Sequence, residues 1–147
     1  MNKFFLSATL VFLLDRLTKY IAIQSDYLTL EVTSFLNIVK TWNRGIIFGL
    51  FHNASDIISI FFLILIPLVL IVLLVIARKA DPTNKILYGA IFGGGLGNWL
   101  DRLFFGAVFD FIDLHIGEFH WPSFNLADLA ISIALILLFI RYVFNHH

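Results

Sequence analysis

The chain has 147 residues, enough for one domain, and 60% of them are hydrophobic against only 14% charged. Soluble domains are about 45–50% apolar and about 25% charged, so this composition excludes a wholly water-facing surface and favours a lipid-facing one. The net charge is zero, which offers no footprint for nucleic acid, and the absence of cysteine excludes a disulfide framework, a thiol nucleophile and a thiolate metal site.

A membrane span needs about 20 mostly apolar residues. The first candidate is 4–23: Phe4 to Leu14 is uncharged, and the segment continues through Asp15, Arg16 and Lys19 to Ile23. Lys3 ahead of an apolar core also suits a secretory signal. The core runs into Asp15-Arg16 without a small-residue cleavage site, so it reads as a retained helix.

The connection at about 24–56 is too long for a bare turn. Tyr27 to Leu36 and Ile46 to Phe51 are rich in β-branched and aromatic residues, with a turn at Asn43 to Gly45, which predicts a short β-structure at the membrane surface. Asn53-Ala54-Ser55 fits the short glycosylation pattern.

The second span, 57–77, is uncharged and contains Pro67, a candidate kink. The third, 86–107, carries Gly89, Gly93 and Gly97 on one face, a spacing that lets another helix backbone approach closely and reads as packing rather than catalysis. The connection at about 110–126 contains His115, Trp121 and Pro122 and suits an interfacial segment. The fourth span is 127–144, with His146 and His147 after it resembling the remains of a tag. With four spans, Lys3, Arg78, Lys79, Lys85 and Arg141 fall on one side, which places both termini in the cytoplasm and the two longer connections outside.

Ionisable residues inside spans are costly and are functional candidates by default. Asp15 and Lys19 share a helix face at i and i+4. Asn98, Asp101 and Arg102 cluster on the third span, Asp110 follows among Val108, Phe109, Phe111 and Ile112, and Asn125 and Asp128 flank the start of the fourth. All lie near the outward ends of their spans and so at a common depth. Asp15 with Lys19 and Asp101 with Arg102 read as structural ion pairs. Asp110 and Asp128 have no cation at helical spacing. Asp128 also fits a helix N-terminal acid with Asn125 as cap. Two carboxyls sharing one water cannot both ionise cheaply, so such a pair holds one proton and can hydrolyse a peptide bond without metal, thiol or serine. Asp113 is a rival for one place, and Asp113, His115, Glu118 and His120 are a weak metal candidate without a recognised spacing.

Five blocks resemble, in order, the motifs of bacterial lipoprotein signal peptidase, also called signal peptidase II. They are Asp15-Arg16-Leu17-Thr18-Lys19, Asn43-Arg44-Gly45-Ile46-Ile47-Phe48-Gly49, Gly97-Asn98-Trp99-Leu100-Asp101-Arg102, Asp110-Phe111-Ile112 and Phe124-Asn125-Leu126-Ala127-Asp128. The resemblance implies an all-α membrane protein: a four-transmembrane-helix bundle with a small extracytoplasmic β-cradle and a short extracytoplasmic helix, forming a single peptidase domain over 1–147. It implies an aspartyl endopeptidase of the bacterial inner membrane that removes the signal peptide of diacylglyceryl-modified prolipoproteins, cutting before the lipidated cysteine. Asp110 and Asp128 match the catalytic pair, and Asp15, Lys19, Asn43, Gly45, Asn98, Arg102 and Asn125 match the supporting polar residues. The expected partners are the lipidated substrate, membrane lipid and globomycin-type inhibitors, with the chain a monomer and no metal or cofactor. Ile47, Arg16 and Phe109 depart from the family, where Ala, Gln and Val are frequent; these changes bear on the shape of the substrate groove. A proton-coupled transporter and a non-catalytic scaffold are the competing readings.

Overall fold

A computed structural model describes residues 1–44 and 55–145. In chain order the elements are α1 (Asn2–Gln24), β1 (Thr29–Thr33), β2 (Leu36–Asn43), α2 (Ser55–Lys79), α3 (Pro82–Phe105), β3 (Val108–Ile116), β4 (Phe119–His120) and α4 (Leu126–Asn145).

Local chemistry sets the helix ends that matter for the site. The Asp81 carboxylate caps α3 by accepting from the N–H groups of Thr83 (2.9 Å) and Asn84 (3.2 Å), and Pro82 occupies the first turn, where no N–H is needed. At the other end Gly106 adopts φ 69°, the left-handed conformation that costs glycine least, and its N–H closes on the Arg102 carbonyl. The chain then turns directly into β3. At the head of α4, Asn125 and Asp128 cap each other: the Asn125 side-chain oxygen accepts from the Asp128 N–H (3.0 Å), and the Asp128 carboxylate accepts from the Asn125 N–H (3.2 Å). The capping role read from the sequence is therefore real.

Contacts give the direction of each helix. Phe4 and Ala8 of α1 meet Gly89 and Gly93 of α3, and Asp15 meets Gly97, so α1 and α3 run parallel. Trp99 donates to the Leu63 carbonyl and Leu70 lies against Gly95, so α2 runs antiparallel to α3. Asp128 meets Asn98 at one end of α4 and Arg141 meets Asn84 at the other, so α4 is antiparallel to α3 as well. The bundle alternates in direction, with α3 packed against the other three helices.

The glycine face acts as the sequence predicts. A Cβ at Gly93 collides with the backbone of Ala8, and one at Gly89 collides with the Phe4 carbonyl and the Ser7 hydroxyl. Backbone cannot yield as a side-chain tip does. Gly93→Ala should therefore push α1 from α3 and destabilise the protein by about 1–3 kcal/mol, read as a lower Tm in detergent.

Polarity is inverted relative to a soluble bundle. Large apolar side chains such as Ile64, Leu68, Ile71, Phe104 and Phe139 are exposed, while Asp15, Lys19, Asn98, Asp101 and Asn125 are buried. Such a continuous apolar exterior suits lipid rather than water. Two helices, over Ser59–Lys79 and Leu126–Phe144, are long and apolar enough to cross a membrane by themselves. In α1 and α3 charges lower the hydropathy, but Asp15, Arg16 and Lys19 of α1 and Asp101 of α3 face each other.

The four strands form one antiparallel sheet in the order β1-β2-β3-β4. Within the first connection a turn at Ser34 and Phe35 joins β1 to β2, and β2 ends at Asn43, so the turn expected over Asn43 to Gly45 runs beyond the described residues. The second connection contributes β3 and β4, so the sheet draws on both connections. The run Val108 to Ile112 finds its partner in β2, with Thr41 opposite Asp110 and Ile38 opposite Ile112. Phe109 and Phe111 pack with Ala22 of α1 beneath the sheet. The fold is thus mostly helical with a small sheet, rather than all-α. Among the described residues all α-helix belongs to the four long helices. Gly45, the strand expected over Ile46 to Phe51, Asn53-Ala54 of the glycosylation pattern, and His146 and His147 lie outside the described residues.

Candidate active site

The polar residues of five separate segments, α1, β2, α3, β3 and the head of α4, meet at one end of the bundle. On α1, Lys19 is 2% exposed and its ammonium lies 3.0 Å from Asp15 Oδ2, 2.7 Å from Asp101 Oδ2 and 3.0 Å from Asn98 Oδ1. Arg16 bridges the same two acids, at 2.7 Å from Asp15 Oδ2 and 2.6 Å from Asp101 Oδ1. Two carboxylates and two cations thus neutralise each other inside the bundle, as burial of charge requires.

The expected Asp15–Lys19 pair is present; the Asp101–Arg102 pair is not. Asp101 faces α1, whereas Arg102, a further 100° round the helix, lies over the Phe62 ring of α2 at 5.0 Å and donates to the Asn98 carbonyl at 3.3 Å. Arg102 is partly buried, and its charge acts on Asp128 and Asp110 as well as on Asp101.

Next to this cluster stand the two remaining carboxylates. Asp110 on β3 is 2% exposed and accepts from the side-chain amides of Asn125 (2.8 Å, Oδ1) and Asn43 (3.1 Å, Oδ2). Asn43 reaches it diagonally across the β2–β3 ladder. Asp128, in the first turn of α4 and half-buried, accepts from the Asn98 amide at 2.7 Å and from the Asn125 N–H at 3.2 Å. Asn125 therefore holds both carboxylates at once, one with its side chain and the other with its backbone. Its amide also donates to Asn98 Oδ1 at 3.1 Å.

Burial pushes the Asp110 carboxyl up to about 6, with the nearby Asp128 charge acting in the same direction; the amides of Asn43 and Asn125 and the Lys19 charge oppose it. A groove of about 300 Å³ lined by Leu114, Trp121, Phe124, Leu129 and Ser132 opens onto Asp128.

Asp113, the rival for a place in the pair, is engaged elsewhere. Three residues along β3 from Asp110, it accepts from the Asn37 amide at 3.0 Å and pairs with His120 Nδ1 at 2.9 Å. Although burial opposes it, these partners hold its carboxyl below the usual carboxylate range. His115 stacks on His120 with ring centroids 4.9 Å apart, and Glu118 is exposed. Among the described residues no three His, Asp or Glu side chains converge as a metal site.

Of the residues singled out from the sequence, Asp15, Lys19, Asn43, Asn98, Arg102, Asp110, Asn125 and Asp128 come together; Gly45 lies outside the described residues. The place of Arg16 inside the charge cluster was missed. Its position beside Asp15, inside a candidate span, was the available signal.

Two solved structures, each described as a bacterial membrane enzyme determined by the in meso method, match this fold with TM-scores of 0.85 and 0.84 at 31% and 32% sequence identity. They cover 99% and 97% of this chain and 90% and 93% of their own. The class that fold and site define is that of a bacterial membrane enzyme. Residues 7–144 match the family described as Signal peptidase (SPase) II. The lipoprotein signal peptidases of Aquifex aeolicus (strain VF5) and Anaplasma marginale (strain Florida) are 42% and 38% identical to it over 140 and 143 residues, covering 94% and 96% of this chain and 84% of each relative. The chain belongs to the signal peptidase II family.

Proposed function

We propose that Asp110 and Asp128 are the catalytic pair with which this member of the family removes signal peptides from lipoproteins. The observation that carries the reading is the Asn125 bridge, which holds the two carboxylates as one unit at the end of the bundle. Between them the pair keeps one proton. The ionised carboxylate takes a proton from water as the water oxygen attacks the peptide carbonyl carbon. The neutral carboxyl donates to the developing oxyanion, and collapse breaks the C–N bond with a proton passed to the leaving nitrogen. Arg102, coupled to both aspartates, adds positive charge where negative charge develops.

The substrate is a diacylglyceryl-modified prolipoprotein cut before its lipidated cysteine. All four long helices span the membrane within one domain, 1–147, with both termini in the cytoplasm. The Arg141 side chain supports this by joining Asn84 (2.9 Å) and Asp81 (3.3 Å), which sets the end of α4 beside the basic α2–α3 turn. The opposite end then presents the sheet and the carboxylates at the outer surface, where acyl chains enter from lipid and water has a short path. The monomer is the working unit, and globomycin-type lipopeptides compete for the same groove. Incubation of the purified protein with a diacylglyceryl precursor should release the signal peptide, read by mass. An unchanged precursor defeats the reading.

The pKa of Asp110 also predicts a pH dependence of stability. In the unfolded chain an Asp titrates near 3.9, and in the folded protein this one titrates at about 6. The folded state therefore holds more protons between those values, and stability falls as pH rises through them. Below pH ~4 both states are protonated and the difference vanishes. Asp110→Asn should be more stable than the wild type at pH 7, by as much as about 3 kcal/mol, and equal to it near pH 4. Melting curves across that range test it; a gap that does not vary with pH contradicts it.

A further inference from the structure

The buried charge cluster touches the proposed catalytic strand and helix through two backbone N–H groups. Asp15 Oδ1 accepts from the Ala127 N–H at 3.2 Å, and Asp101 Oδ2 accepts from the Phe109 N–H at 3.4 Å. Ala127 immediately precedes Asp128, and Phe109 immediately precedes Asp110. Each acid thus grips the peptide directly ahead of one carboxylate of the pair.

The two acids are themselves locked to each other. Lys19 and Arg16 each bridge Asp15 and Asp101, so each carboxylate meets both cations. Arg16 takes Asp101 Oδ1 and leaves Oδ2 for Lys19 and the Phe109 N–H. Phe109 has little freedom otherwise: it is 1% exposed and packed between the rings of Trp42 and Phe111. Helix N-terminal N–H groups such as that of Ala127 have no partner within their own helix and need one when buried.

We propose that Asp101, oriented by Arg16, is a positioning residue for the aspartate pair: with Asp15 it forms a rigid yoke that fixes the spacing of Asp110 and Asp128 from behind, through the backbone. This rests on the assignment of those two aspartates as catalytic. It gives Asp101 and Arg16 a part in the reaction, although neither touches the reacting atoms. A misplacement of about 1 Å in a catalytic group costs on the order of 10²-fold in rate, so the yoke acts on kcat.

The test is steady-state cleavage of a diacylglyceryl precursor by the full-length protein, with melting curves to establish the folded fraction. Asp101→Ala should lower kcat by about 10²-fold with KM within about twofold of the wild type. Asp101→Asn keeps an oxygen for the Phe109 N–H while losing the charge, and should recover about 10-fold of that loss. A merely structural ion pair predicts no such rescue, because both variants lack the charge. A folded Asp101→Ala protein with wild-type kcat, or Asn no better than Ala, overturns the proposal. If Asp101→Ala does not fold, Arg16→Ala decides, since Arg16 is partly exposed. It should lower kcat by about 10-fold at constant KM, with Arg16→Lys recovering at least half, and unchanged kcat overturns the proposal. Asp110→Asn, run alongside, separates the two levels. Cleavage by that variant removes the catalytic assignment itself; an inactive Asp110→Asn with a fully active Asp101→Ala removes only the yoke.

Discussion

Asp110→Asn and Asp128→Asn should each slow cleavage of a diacylglyceryl precursor by about 10³-fold or more, without loss of the folded state. In the proposed mechanism each variant removes a proton donor or acceptor at the scissile bond, a contribution of about 10²–10⁴-fold for general acid–base groups. The loss is larger than for an isolated group because the two act as one unit. With a single carboxyl left, either the water lacks a base or the oxyanion lacks an acid. The double variant should therefore be no slower than the worse single one. Folding survives because asparagine keeps the size of the side chain and an oxygen for the Asn125 and Asn98 amides. Single-turnover rates with a mass readout check this, and either variant cleaving within tenfold of the wild type would falsify the catalytic pair. A proton relay makes the opposite demand: the same variants would lose proton flux in liposomes and retain cleavage.

Lys19→Met should destabilise the protein by about 3–5 kcal/mol, the largest effect on stability expected from one side chain here. The ammonium contacts Asp15, Asp101 and Asn98 within 3.0 Å and is shut off from solvent. Its removal leaves two acids in a low-dielectric interior, ion-paired among the described residues with Arg16 alone. Charge that is buried and half-compensated costs far more than the intact pair contributes. Asn98 also loses one of the two donors to its oxygen and keeps the Asn125 amide, which weakens the hold on the amide it donates to Asp128. Lower yield, a Tm reduced by many degrees in detergent and weak cleavage should appear together. A Tm equal to the wild type would mean that Arg16 alone neutralises both acids.

Much of this architecture was legible before any coordinate. Hydropathy marked four apolar segments, and each holds a long helix: residues 4–23 fall within α1 and 86–107 overlap α3. The spacing of Gly89, Gly93 and Gly97 announced a close helix contact, because a missing Cβ has a single steric meaning on a helix face. Asn125 and Asp128, three apart, announced the cap of α4.

The strands of the second connection were harder to read. Val108 to Ile116 alternates well enough for a strand, but its partner β2 lies some seventy residues earlier, and ladder partners leave no local trace. The charge cluster failed differently. Sequence neighbours suggested Asp101 with Arg102, yet the two point to different helices, and the true partners of Asp101 lie on α1.

Residue identity and helical period alone settled which segments are long and apolar, which helix faces pack closely and which acids lack a local cation, since each of these depends on neighbours within a few residues. Only the tertiary fold decided which acids are neutralised by cations and which are held by amides instead. That choice turns on where α1 sets its two cations against α3 and how Asn125 spans β3 and α4, and distances between remote segments exist only once the helices are packed.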